Sequence, residues 1–285
     1  MQATRLADGR VHLQDGPIDL ILKAEGPGRA AAERAALSAF DGLLATLVAE
    51  LPVLRRPLGA PPPPVSGPVA RRMVAAAAPF AERFVTPMAA VAGAVSDHLL
   101  AAMLDTAPDL TRAWVNDGGD IAFHLTEGQT FEVGLVDDLR APALAGTATV
   151  VHGDGLRGVA TSGRGGRSFS LGIADAVTVM ARDAATADVA ATLIANAVDL
   201  QGHPAIRRGP ASGEDPDSDL GDLPVVLEVG ELNPEAVETA LDAGCRASEP
   251  ILNHVPGICV ILFLAKRFRI VGAPAARVTG LPRTR

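Results

Sequence analysis

Three short stretches of this 285-residue chain combine residue types that can do chemistry. Ala160-Thr-Ser-Gly-Arg164 is a small-residue turn with two hydroxyls and backbone N–H groups open to a ligand. Ala187-Asp-Val-Ala-Ala-Thr192 sets Asp188 and Thr192 four residues apart, which stacks a carboxylate and a hydroxyl on one helix face. Asn116-Asp-Gly-Gly-Asp120 brings an amide, two carboxylates and two glycines into one turn, where the absence of side chains lets a ligand reach the main chain. Carboxylate, hydroxyl and carbonyl oxygens suit Mg²⁺ or Ca²⁺ rather than zinc. Amides of a glycine turn can form an anion nest, to which Arg164 and Arg167 add forked donors for phosphate. Each stretch also has a plain reading: an Asx-stabilised tight turn, a solvated glycine loop, a helix-face carboxylate above a packed threonine. The residues alone leave both open.

Other chemistries find less support. No nucleophile elbow surrounds Ser162. The six histidines are scattered, none spaced as a metal pair. There is neither a G-x-G-x-x-G after the first strand nor a Walker loop. A net charge of −8 argues against a nucleic-acid partner, because phosphate neutralisation needs a basic surface. Tyrosine is absent and Trp114 is the sole tryptophan, so stacking on Tyr or Trp has almost no candidates. Cys245 and Cys259 read as two reduced, structural thiols. The apolar run Gly257–Ala265 is too short to span a bilayer and reads as a buried strand. With no signal-peptide core between Met1 and Lys23, the expectation is a cytoplasmic chain with no membrane partner.

The elements that must position these residues follow from periodicity. Strands are expected at 10–14 and 18–23 across the Asp15-Gly16-Pro17 turn. Ala36, Leu37, Phe40, Leu43, Leu44, Leu47 and Leu51 give helical spacing over about 28–51, ending at Pro52. Residues 57–68 are proline-rich and can only be extended or looped, a surface excursion inside one fold. Helices are expected over about 69–83 and 88–107, then strands at 113–116, 121–125, 131–136, 143–152, 158–161 and 174–180. An Ala-rich helix over 184–200 carries Asp188 and Thr192, with Asn196 and Asp199 further along. Residues 207–222 read as a mobile loop, 222–229 as a strand, 234–243 as a short helix and 258–271 as two closing strands around Lys266. Runs of strands joined by short turns predict an α+β fold with mixed or antiparallel sheets, not a doubly wound one. The reading is one domain over 1–285, built as two closely fused lobes. The Ala-rich helices and the 258–265 strand need extensive cover, which a homodimer would supply.

Taken in order, the three stretches resemble the ApbE-like superfamily, whose best-known members are Mg²⁺-dependent FAD:protein FMN transferases. That family carries an Asn-x-Gly-Gly-Asp turn, a Thr-Ser-Gly turn and an Ala-Asp-Ala-x-Ala-Thr helix. The counterparts here are Asn116–Asp120, Thr161–Gly163 and Ala187–Thr192. The phrases around Phe84–Gly93, Ser168–Asp175 and Asp217–Gly221 look closest to a shorter branch of the superfamily. The resemblance implies an ApbE-like fold with a cation held by Asp188, Thr192 and a main-chain carbonyl at Val91 or Ala92. It implies that Asn116, Gly118, Gly119, Asp120, Thr161, Ser162, Gly163 and Arg164 contact a phosphorylated ligand, FAD or FMN, with an acceptor protein that the sequence does not identify. Two features of the transferases have no counterpart. The early loop, Val91-Ala-Gly-Ala-Val-Ser-Asp97, has no lysine, and Arg167–Asp175 has neither the histidine nor the proline of the His-x-x-Asp-Pro-x-Thr-Gly segment. The expectation is therefore a phosphorylated-ligand protein with a divalent cation, as a transferase, or alternatively a non-catalytic binding or scaffold protein on the same fold.

Overall fold

The computed structural model describes residues 1–272 and 276–281. The chain opens with β1 (Gln2–Arg5), β2 (Val11–Asp15) and β3 (Ile18–Glu25), paired antiparallel in sequence order. The last two match the alternation of the sequence. β1 has every residue exposed, so it carries no apolar pattern to read.

The helix expected over 28–51 is two helices, α1 (Arg29–Phe40) and α2 (Leu43–Leu54), bent by 43° at Asp41–Gly42. Gly42 sits at φ 71°, the left-handed conformation that ends a helix and that glycine adopts without a Cβ clash. Pro52 does not stop α2, which continues to Leu54. α3 (Pro68–Ala77) and α4 (Val91–Thr106) follow, the latter entered through a 3₁₀ turn at Pro87–Ala90.

Next come β4 (Arg112–Asp117), β5 (Asp120–Leu125), β6 (Thr130–Val136), β7 (Leu144–Val151), β8 (Gly158–Ser162), β9 (Ala176–Ala181) and α5 (Ala184–Ala197). The stretch expected as a loop at 207–222 begins as β10 (Ile206–Pro210), passes through the four-residue α6 (Ala211–Glu214), and returns as β11 (Pro224–Val229) paired with β10. Its Gly/Pro/Asp content favours coil, but main-chain pairing overrides composition at Ile206–Pro210. α7 (Pro234–His254) is twice the expected length and runs through Pro250. β12 (Cys259–Leu264), β13 (Arg267–Gly272) and β14 (Arg277–Thr279) complete the α+β fold.

The chain divides into two compact units. The first comprises Met1–Phe131, Val151–Ala160 and Met180–Val189. Its strands run in the order β1-β2-β3-β4-β5-β8. β3 alternates buried and open residues along its whole length, the pattern of a sheet with one covered face. α4 packs on β4 and β5, with α1 and α3 against it. Leu13, Leu20, Leu22, Phe40, Leu99, Met103 and Phe123 are essentially inaccessible.

The second unit comprises Glu132–Val150, Thr161–Val179 and Ala190–Arg285. There β12 is buried at every position and pairs with β13, and α7 packs on both. Cys245 and Cys259 are free thiols. Among the described residues one helical stretch, Pro87–Thr106, is long and apolar enough to cross a membrane. A 56% share of it is buried against the rest of the chain, as in a core helix.

Candidate functional site

The Asn116–Asp120 turn is a two-residue hairpin joining β4 and β5, with Asp117 paired to Asp120. Gly118 and Gly119 both have positive φ, 65° and 112°, as a type I′ connection requires. Asn116 Oδ1 accepts from Gly119 N at 2.8 Å, so its side chain builds the turn. The Ser96 hydroxyl, on α4, donates to the Asp120 carbonyl at 2.8 Å and ties the hairpin to that helix. Asp117 is buried.

Asp188 lies in the second turn of α5. Its Oδ2 accepts from the Gly93 amide at 3.1 Å. Gly93 is in the first turn of α4, where a helix leaves its amides without internal partners, so Asp188 caps α4 from another helix. The contact needs a glycine. A Cβ at residue 93 would stand 2.3 Å from the Ala184 carbonyl oxygen and 2.8 Å from Ala185 Cα.

Burial holds the Asp188 acid well above the usual carboxylate range. The Asp120 carboxylate pushes it the same way, the Gly93 N–H opposes, and Asp117 and Asp97 add further repulsion. Carboxyl groups are thus crowded at a desolvated point that already draws on one helix N-terminus. An oxygen-coordinated divalent cation fits that chemistry. Among the described residues no three His, Cys, Asp or Glu side chains form a metal-holding group. A cation at Asp188 would therefore draw its remaining ligands from main-chain carbonyl and water, a mixed oxygen shell of the kind Mg²⁺ accepts. Val91 is the first residue of α4, and a carbonyl there points along the helix axis toward the amide four residues on. What this segment gives to Asp188 is the Gly93 amide.

In the second unit, Thr161 Oγ1 lies 3.0 Å from Thr178 Oγ1. The chain then turns through Ser162 and Gly163, where a Cβ would come within 2.8 Å of the Asp175 carbonyl oxygen. Two amides of the expected anion nest are used internally: Arg164 N–H donates to the Ala174 carbonyl and Gly166 N–H to that of Gly163. The Arg164 guanidinium, expected to face a phosphate, is turned onto Asp175 Oδ1 through Nε at 3.1 Å and Nη2 at 2.7 Å, with its side chain only 12% exposed. Asp175 also takes Arg140 Nη2 at 3.2 Å and the Ala265 amide at 2.7 Å. Arg164 thus builds the turn around a buried carboxylate.

The segment 167–175 is tightly held. Asn196 Oδ1, on α5, accepts from Leu171 N at 2.9 Å and from the Ser170 hydroxyl at 3.3 Å. Arg208 donates to the Leu171 carbonyl at 2.6 Å and pairs with Asp199. A Cβ on Gly172 would collide with the Ala195 carbonyl at 2.2 Å.

In the sequence the small residues Ala89, Ala90, Ala92, Gly93 and Ala94 allow close approach of backbone or ligand, whereas Ser96, Asp97 and Asp175 carry no signal of a role in the site. What Asp175 does signal is a partner: a lone carboxylate inside Gly-Ile-Ala-Asp-Ala-Val is buried only if partnered. Ser96 and Asp97 sit in a helix whose local pattern says nothing of what lies across from them.

The fold is that of the ApbE-like class. Flavin transferase ApbE from Vibrio cholerae superposes with a TM-score of 0.50 at 12% identity, over 96% of this chain and 98% of that one. A mutant of the same enzyme gives a TM-score of 0.50 at 13% identity, over 93% and 98%. At such identity the likeness concerns the fold alone. A family model described as "AbpE bacteria" matches residues 3–270, and the chain belongs to that family. UPF0280 proteins are relatives: one from Methanothrix thermoacetophila is 39% identical over 46% of this chain and 52% of its own length. Another, from Methanothermobacter thermautotrophicus, is 41% identical over 46% and 48%, and one from Methanosarcina acetivorans is 31% identical over 66% and 72%. The chain thus spans about half the length of the first two relatives.

Proposed function

We propose that the chain binds a flavin nucleotide, FAD or FMN, through its phosphates and a divalent cation held at Asp188. One observation carries this reading: a desolvated carboxylate, repelled by Asp120 and Asp117, is fixed against the N-terminal amide of a helix. Such an arrangement opposes folding unless a proton or a cation occupies it. Membership of the family and the fold shared with a flavin transferase support the choice of ligand. Asp188 would hold the cation, and the Asn116–Asp120 turn would meet the nucleotide. A bound cation supplies charge neutralisation to the phosphates.

A second reading, binding without flavin transfer, is favoured by the 167–175 segment. It lacks histidine and proline, and Asn196 and Arg208 fix its main chain as part of the scaffold. Titration with FAD and FMN, with and without Mg²⁺, on the wild type and Asp188→Ala, tests the common core of both. Mg²⁺-dependent binding lost in the variant supports it. Equal binding by both proteins, or none by either, removes it. Incubating the loaded protein with candidate acceptor proteins, followed by mass analysis for an added FMN, then separates transfer from holding.

A further inference from the structure

The α4–α5 pair has a second buried carboxylate that the proposed ligand contacts do not use. Asp97 Oδ1 and Oδ2 accept from the amides of Ala184 at 3.1 Å and Ala185 at 2.9 Å, the first two residues of α5. The same helix already has a local cap, Asp183 Oδ1 accepting from Thr186 N at 2.7 Å. Asp97 takes the two amides before that one, and so ties the start of α5 to α4. In the opposite direction, Gly93 at the start of α4 donates to Asp188. Each helix thus gives N-terminal amides to a carboxylate on the other. The contacts 93 to 188 and 97 to 184 step in opposite directions along the two helices, so together they fix both spacing and register. The Gly93 cleft removes any slack, and Gly158 does so from another side, since a Cβ there would meet the Asp183 carbonyl carbon at 2.1 Å and Ala184 N at 2.2 Å.

We infer that Asp97 is a positioning residue for the Asp188 cation site: it sets where the Asp188 carboxylate stands against α4 without touching the ligand itself. The inference rests on the cation reading above. It gains support from what Asp97 costs. Burial pushes its acid up to about 6, with Asp183 adding repulsion and the two amides and Arg72 opposing.

The test is titration of the full chain with Mn²⁺ alone, for wild type, Asp97→Asn, Asp97→Ser, Asp188→Asn and Met103→Ala, at a temperature where each is folded. Met103 is buried farther along α4 and serves as a control for loss of stability alone. Outer positioning groups commonly govern metal affinity by about 10-fold or more. We expect Asp97→Asn and Asp97→Ser each to weaken Mn²⁺ by roughly that factor, Asp188→Asn to lose binding, and Met103→Ala to bind as wild type. If Asp188→Asn loses binding while both Asp97 variants bind as wild type, the positioning role is overturned and the cation site stands. If Met103→Ala weakens Mn²⁺ as much as Asp97→Asn does, the effect is one of stability and the role is again overturned. If wild type binds no Mn²⁺, both the cation reading and this inference fall.

Discussion

At the scale of single residues, the first unit concentrates carboxylates that repel one another. Asp97 shows the consequence for pH. Its acid lies at about 6 in the folded chain against 3.8 ordinarily, so the folded state holds that proton more tightly than the unfolded one. The associated stability is complete below 3.8 and is lost as pH rises through about 6. Asp183 and Arg72 face the same group, with opposite effects. The wild type should therefore gain about 1 kcal/mol from Asp97 on acidification from pH 7 to pH 5. Urea unfolding of Asp97→Asn across that range should show the gain reduced by this amount; an undiminished gain would place the titration elsewhere. Asp188→Asn removes a charge that burial and Asp120 both disfavour, yet keeps an oxygen for the Gly93 amide. At pH 8 in the presence of a chelator the variant should be more stable than wild type by about 1–2 kcal/mol, as happens when a functional site is relieved of like charge. A variant less stable than wild type under those conditions would show that the cluster is not under electrostatic load. Little of this was legible beforehand. Asp188 stood out through its spacing to Thr192, whereas Asp97 and Asp175 owe their roles to amides distant in sequence.

At the scale of elements, close approach decides which helices can meet. α4 reaches α5 only because Gly93 presents no side chain to the Ala184–Ala185 backbone. Gly93→Ala must move main chain rather than a flexible side-chain end, and a cost on the order of 3 kcal/mol is expected. Thermal unfolding measures the cost. Mn²⁺ titration should show weakened binding as well, since the Gly93 amide leaves Asp188. A Gly93→Ala protein as stable as wild type would mean that the two helices separate freely. Most elements were readable from periodicity, as β2, β3 and α5 were. The exceptions have definite causes: the break at Gly42 depends on one backbone conformation, β1 buries nothing, and β10 is organised by pairing with β11. Neither helical spacing nor strand alternation encodes such features. The same holds for Ser170-Leu171-Gly172, where Asn196 and Arg208 from outside the segment fix Leu171.

At the scale of the whole molecule, the proposed ligand should act as a stabiliser through mass action. FAD or FMN at about 100 times its dissociation constant would add about 2.7 kcal/mol to the stability of a protein that binds it only when folded. The expected observation is a rise in melting temperature that needs nucleotide and Mg²⁺ together and disappears in Asp188→Ala. A nucleotide shift indifferent to Mg²⁺ would separate the ligand from the cation. The amino-acid sequence by itself determined the α+β class, the order of the three motifs and membership of the ApbE-like group, because spacing within a turn or along one helix face is local information. Tertiary structure alone decided what those motifs do with their polar atoms. It committed Arg164 to Asp175, gave the Gly93 amide to Asp188, and placed Asp97 across the start of α5. The reason is physical: a buried charge must find partners, and those partners lie about 90 residues away along the chain for both Asp97 and Asp188.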